Sequence, residues 1–141
     1  MKRAVDVKKI LIADDDPPLR GLLRLVAARA GFDVDTASNG AEALEKLREN
    51  QYAVAVIDLM MPRLSGYDVI EHLAEMPSRP AVVVVTALND ARLARLDSSV
   101  VSSILRKPFD IEMLSAVLTE LAESAKAKEQ MGHVIDFPSG C

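Results

Sequence analysis

Four aspartates, a threonine and a lysine stand where short apolar runs end, and together they could handle a phosphoryl group. Asp14, Asp15 and Asp16 follow Ile10–Ala13, and Asp58 follows Ala53–Ile57. Thr86 follows Ala81–Val85, and Lys107 lies just past Val100–Leu105. Carboxylates drawn close together repel, and some must take up protons unless a cation neutralises them. Mg²⁺, or Mn²⁺ in its place, suits such a site. It takes oxygen ligands octahedrally, uses one or two carboxylates and keeps waters that a phosphate oxygen can displace. The ion then polarises the phosphoryl group and aligns it with Asp58. Phosphoryl transfer asks chiefly for positioning and charge neutralisation. Lys107 can supply a second positive charge and Thr86 a hydroxyl donor. A carboxylate nucleophile yields an acyl phosphate.

These residues need elements that carry them to one place. The apolar runs Ile10–Ala13, Val34–Ala37, Ala53–Ile57, Ala81–Val85 and Val100–Leu105 are short and rich in branched residues, as strands of a covered parallel sheet are. Helical patterns lie between them. Asp16 as N-cap and Pro17 at the first helical position open the first helix. Leu19, Leu22, Leu23, Val26 and Ala30 mark its inner face, and Gly31 ends it. The second opens at Asn39-Gly40-Ala41-Glu42, with capping-box-like spacing, and turns Ala43, Leu44 and Leu47 inward. The third spans about Tyr67–Met76, with Ile70 and Leu73 inside, and stops at Pro77. The fourth, about Asn89–Leu96, has a thin apolar face. The fifth starts near Asp110 and shows Ile111, Leu114, Leu118 and Leu121 on one side.

This β-α alternation, five times over, predicts an α/β fold. Right-handed crossovers narrow it to a flavodoxin-like (βα)5 three-layer sandwich with a five-stranded parallel sheet in the order 2-1-3-4-5. Ligands of such sheets bind beyond the carboxyl ends of strands 1 and 3, where Asp14–Asp16 and Asp58 stand.

Other residues have plainer readings. Asp16 suits a helix cap better than a metal ligand. Gly66 suggests a turn with unusual backbone angles. Met60 and Met61 suggest local packing. His72 and His133 suggest solvated surface, so a phosphodonor histidine must come from another protein.

The 141 residues are 50% hydrophobic, enough for one domain with a real core. A net charge of -4 gives no bulk reason to seek nucleic acid or an anionic membrane. Cys141 is the single cysteine, which excludes an internal disulfide and fits a reducing compartment. No signal core is visible, and no apolar run approaches the ~20 residues that span a bilayer. The expected location is cytoplasmic.

Four segments carry a family resemblance: Ile10-Leu11-Ile12-Ala13-Asp14-Asp15-Asp16-Pro17, Ile57-Asp58-Leu59-Met60-Met61-Pro62-Arg63-Leu64-Ser65-Gly66, Val85-Thr86-Ala87 and Arg106-Lys107-Pro108-Phe109. The chain resembles a response-regulator receiver domain of two-component and phosphorelay signalling. The resemblance implies that Asp58 is the phosphoacceptor, taking its phosphoryl group from a histidine kinase or histidine phosphotransfer protein. It implies Asp15 as direct metal ligand, Asp14 as ligand through water, and the Met60 backbone carbonyl as main-chain ligand. Thr86 and Lys107 match the phosphate-contacting pair, and Ala87 the small residue that leaves room for the phosphoryl group. The Lys107-Pro108 bond matches one that is usually cis. The expected organisation is an N-terminal extension at 1–7, a receiver domain at 8–124 and a flexible C-terminal tail at 125–141, with no output domain. The expected product is a signalling switch of protein–protein contacts, not a metabolic enzyme. Its target would dock on the face made by the fourth helix, fifth strand and fifth helix.

Two departures stand out. Ile104 occupies the place, three before the lysine, where receivers commonly carry Tyr or Phe. The family's coupling of the Thr86 switch to that ring cannot operate here in its usual form, and rearrangement of the fourth helix is the expected substitute. Met60 and Leu88 are apolar where side chains border the path of hydrolytic water, so a long-lived phosphoryl group is expected. Two other readings compete. Asp14-x-Asp16 faintly resembles a haloacid-dehalogenase-type phosphatase with Asp14 as nucleophile, although Pro18 stands where such enzymes favour Thr or Val. A degenerate, binding-only receiver is the other; the complete acidic set with Thr86 and Lys107 argues against it.

Overall fold

The computed structural model describes residues 8–87, 93, 94 and 96–131, with side chains through residue 123. Five strands, β1 (Lys9–Ala13), β2 (Asp33–Ala37), β3 (Val54–Asp58), β4 (Ala81–Thr86) and β5 (Val101–Arg106), form one parallel sheet in the order β2-β1-β3-β4-β5. Helices α1 (Pro17–Arg29), α2 (Gly40–Glu49), α3 (Gly66–Ala74) and α4 (Ile111–Met131) cover it. This is the expected flavodoxin-like architecture. The helix expected at 89–96 lies mostly outside the described residues, as do the extension at 1–7, Leu88, His133 and the end of the tail. Leu93 and Ala94 form a 3₁₀ turn. Residues 125–131, expected as the start of a tail, continue α4, in keeping with their Ala, Lys, Glu and Gln content.

Alternation along the strands builds a core on each face. Leu11, Ala13, Ala55, Ile57, Val82 and Val84 pack one way, with Leu47 of α2 and Val69, Ile70 and Leu73 of α3. Ile10, Ile12, Val54, Val56, Val83 and Val85 pack the other way, with Leu23 and Val26 of α1 and Leu114 and Leu118 of α4. β3 is buried throughout, whereas the edge strands β2 and β5 are only partly covered.

The helix ends modify the expectations. Asp16 occupies the N-cap position of α1 with Pro17 following, but its side chain makes no capping hydrogen bond. Gly31 (φ 99°) takes the left-handed position after the helix, and the N–H groups of Gly31 and Phe32 donate to Ala28 O and Ala27 O at 3.0 and 3.1 Å, a Schellman closure. Leu22, expected inside, is 40% exposed, because the buried stripe centres on Leu23, Val26 and Ala27 and leaves it at the margin. Asn39 Oδ1 accepts from the Glu42 N–H at 2.8 Å, but the Glu42 carboxylate reaches one residue further back, to the Ser38 N–H and hydroxyl. A reciprocal capping box opens α3 instead, between Ser65 and Asp68.

Candidate functional site

The carboxyl ends of β1 and β3 set Asp14 and Asp58 side by side, 0% and 4% exposed, with exposed Asp15 next to them. One oxygen from each of the three carboxylates lies within 4.8 Å of the others. Asp14 is tied down at three points. Its N–H donates to Ala37 O at 3.1 Å, its Oδ1 accepts from the Asp16 N–H at 2.9 Å, and its carbonyl accepts from Arg20 Nη1 at 2.7 Å. Its Oδ2 is buried without a hydrogen-bond partner. Burial, together with the neighbouring Asp58 charge, pushes the Asp14 carboxyl above the usual carboxylate range. Three carboxylates this close, one of them with a buried oxygen that accepts no hydrogen bond, are a donor set that suits a hard divalent cation, and these residues fit Mg²⁺.

Asp58 is held from two sides. The Met60 N–H donates to Oδ1 at 3.2 Å, and Lys107 Nζ donates to Oδ2 at 3.3 Å. The same ammonium lies 3.6 Å from Asp14 Oδ2, so one lysine spans both buried acids. The Lys107 N–H donates to Thr86 O at 2.8 Å, which ties the end of β5 to the end of β4. Thr86 is fully buried and Ala87 exposed at the same edge. The Lys107-Pro108 bond is cis.

Some neighbours differ from expectation. Gly66 is not the residue of unusual backbone angles. That one is Arg63 (φ 74°). Gly66 is small because a Cβ there would lie 2.5 Å from the Asp58 carbonyl oxygen and 2.7 Å from Leu59 Cα. The start of α3 thus rests directly on the backbone that carries Asp58. Met61 is packed, as expected, but the Met60 side chain is 56% exposed beside the site. Ile104 is 40% exposed on β5, in register with Val84. His72 is exposed on α3, as expected. Asp16 is not among the clustered acids.

Sequence reasoning missed Arg20, whose signal was a lone cation one turn into the helix after an acidic turn. It also missed a clasp far from the cluster. Tyr52 Oη donates to Asp35 Oδ2 at 2.7 Å, and Lys9 Nζ lies 3.4 Å from that same oxygen. The Tyr52 hydrogen bond holds the Asp35 carboxyl below its usual range, and burial with the Asp35 contact raises the tyrosine hydroxyl.

The family described as the response regulator receiver domain matches residues 10–119. A transcriptional regulatory protein of Haemophilus influenzae, a CpxR homolog, is 33% identical over 91% of this chain and 56% of its own length. The chain therefore spans little more than half of that curated relative. Among solved structures, the receiver domain of the Francisella response regulator 1452 is 30% identical, with a TM-score of 0.76 over 83% of this chain and 98% of its own. The response regulator TrrA of Thermotoga maritima, solved in complex with Mg²⁺-BeF, is 30% identical, with a TM-score of 0.73 over 82% and 99%. Among the described residues, no helix is long and apolar enough to cross a membrane.

Proposed function

This chain belongs to the response-regulator receiver family, and we propose that it accepts a phosphoryl group on Asp58 from the phosphohistidine of a histidine kinase or phosphotransfer protein. One observation carries this reading. At the end of a fully buried strand, the Asp58 carboxylate has one oxygen held by the Met60 N–H and the other 3.3 Å from the Lys107 ammonium.

An Asp58 oxygen attacks phosphorus and forms the new O–P bond as the donor's N–P bond breaks. The electron pair of that bond stays with the departing imidazole. Asp14, Asp15, Asp58 and the Met60 carbonyl would hold a divalent cation, which supplies Lewis-acid stabilisation of the phosphoryl charge. Lys107, 3.3 Å from Asp58 Oδ2, adds a second positive charge. The Thr86 hydroxyl donates to a phosphoryl oxygen, and Ala87 leaves space for it. The Mg²⁺-BeF complex of the Thermotoga relative supports the cation assignment. The phosphorylated receiver unit, residues 8–124, then switches contacts with a downstream protein through β5, α4 and the segment before β5. Ile104 on that face takes the position of the family's aromatic switch residue.

Incubation with Mg²⁺ and a small acyl-phosphate donor, read by intact mass, tests the assignment. One phosphoryl adduct is expected on the native chain and none on Asp58→Ala. An adduct that survives Asp58→Ala but vanishes in Asp14→Asn would overturn it in favour of a phosphatase-type nucleophile at Asp14.

A further inference from the structure

We propose that Arg20 is a positioning residue for the cation site, setting the acidic turn from behind through the Asp14 carbonyl; the inference rests on the functional reading above. Arg20 sits one turn into α1, where its N–H closes the first helical hydrogen bond, to Asp16 O at 2.8 Å. Its guanidinium turns back and donates to Asp14 O at 2.7 Å, a charge-assisted bond. With the Ala37 and Asp16 contacts, three of the four polar handles of Asp14 are occupied by the protein itself. The remaining one, Oδ2, has no hydrogen-bond partner and lies 3.6 Å from the Lys107 ammonium at the acidic cluster. The carbonyl that Arg20 holds belongs to the Asp14–Asp15 peptide. The same bond therefore fixes the plane from which the exposed Asp15 side chain departs. A carboxylate pair oriented in advance loses less freedom when it captures an ion.

The sign of the effect separates this role from bare electrostatics. A guanidinium near a cation site repels the cation, so as a mere charge Arg20 would weaken Mg²⁺ binding and its removal would tighten it. As a positioning group its removal weakens binding. Calorimetric titration of the full chain with MgCl₂ is expected to give roughly tenfold weaker affinity for Arg20→Met, the scale of a lost outer-shell contact. Arg20→Lys, which keeps a donor and the charge, is expected to recover most of it. Thermal melts in EDTA and in sub-saturating Mg²⁺ provide a second readout. A purely structural role lowers Tm equally in both, whereas the positioning role shrinks the increment that Mg²⁺ confers. Arg20→Gln replaces Arg20→Met if the latter does not fold. Unchanged or tighter Mg²⁺ binding in Arg20→Met or Arg20→Gln, beside normal binding by the native chain, overturns this inference alone. A native chain that binds no Mg²⁺ overturns the functional reading and this inference with it.

Discussion

β3 and β5 serve the same edge of the sheet in opposite ways. Both run parallel and deliver a charged residue to the acidic cluster, Asp58 at the end of β3 and Lys107 just past β5. β3 lies between β1 and β4 and is buried at every position. β5 is an edge strand of alternating exposure, with Ser102 and Ser103 in its middle and a register shift against β4 at Val82/Val83. The contrast teaches where rigidity is placed. The carboxylate proposed to take the phosphoryl group stands on a strand packed on both faces, while the ammonium proposed to assist it hangs from an edge.

The largest expected effect tests that contrast directly. Ile57→Ala, at a fully buried site on β3, should lower stability by about 2–5 kcal/mol, whereas Ile104→Ala, 40% exposed on β5, should cost less than about 1 kcal/mol. Urea midpoints at equal m-value check it, and comparable losses would dissolve the distinction.

Next comes the dependence of the buried acids on pH and metal. A carboxyl whose folded pKa is raised contributes stability that is complete below its unfolded value and is lost as pH rises through the folded one. For Asp14 the loss begins near the ordinary value of 3.8 and is complete above the raised folded value. The metal-free protein should therefore weaken over that window, and Mg²⁺ at a hundredfold excess over Kd should restore about 2.7 kcal/mol at neutral pH. Asp14→Asn should flatten the pH slope and shrink the Mg²⁺ increment. Thermal melts across pH, with and without Mg²⁺, make the comparison.

Gly66→Ala should cost about 1–3 kcal/mol, because the new methyl must displace the Asp58 carbonyl or tilt α3. Its acyl-phosphate labelling should slow by more than that of a β5 variant of equal stability loss. The smallest effect is expected at the Tyr52 clasp. Tyr52→Phe should cost about 1 kcal/mol or less, since Asp35 and Lys9 remain partly solvated. The depressed carboxyl of Asp35 contributes stability above 3.8 that is lost as pH falls through its lower folded value. The variant's deficit should thus fade in acid.

Much of this site was legible because Asp14, Asp58 and Thr86 each terminate or directly follow an apolar run, and parallel topology brings such ends together. What stayed hidden depends on contacts between segments that periodicity does not relate. Gly66 reads as a turn residue until α3 is seen resting on the Asp58 carbonyl. Leu22 looks inward until the helix is docked and the stripe proves narrower. Tyr52 and Asp35 are 17 residues apart, and nothing local links them. The Ser65-x-x-Asp68 cap was within reach, but its aspartate departs from the Glu or Gln usual in that motif.

The four consecutive valines of β4, Val82–Val85, acquire another meaning during synthesis. All are buried, and β5 covers the outer edge of their strand. β5 leaves the ribosome later than β4, so for a time the nascent sheet has a long, uncharged, branched edge with open backbone groups. Such an edge is a template for pairing with other chains. β5 is then a cap against aggregation as well as part of the proposed docking face. A chain that stops before Val101 should precipitate even though every carboxylate of the acidic cluster has already been made.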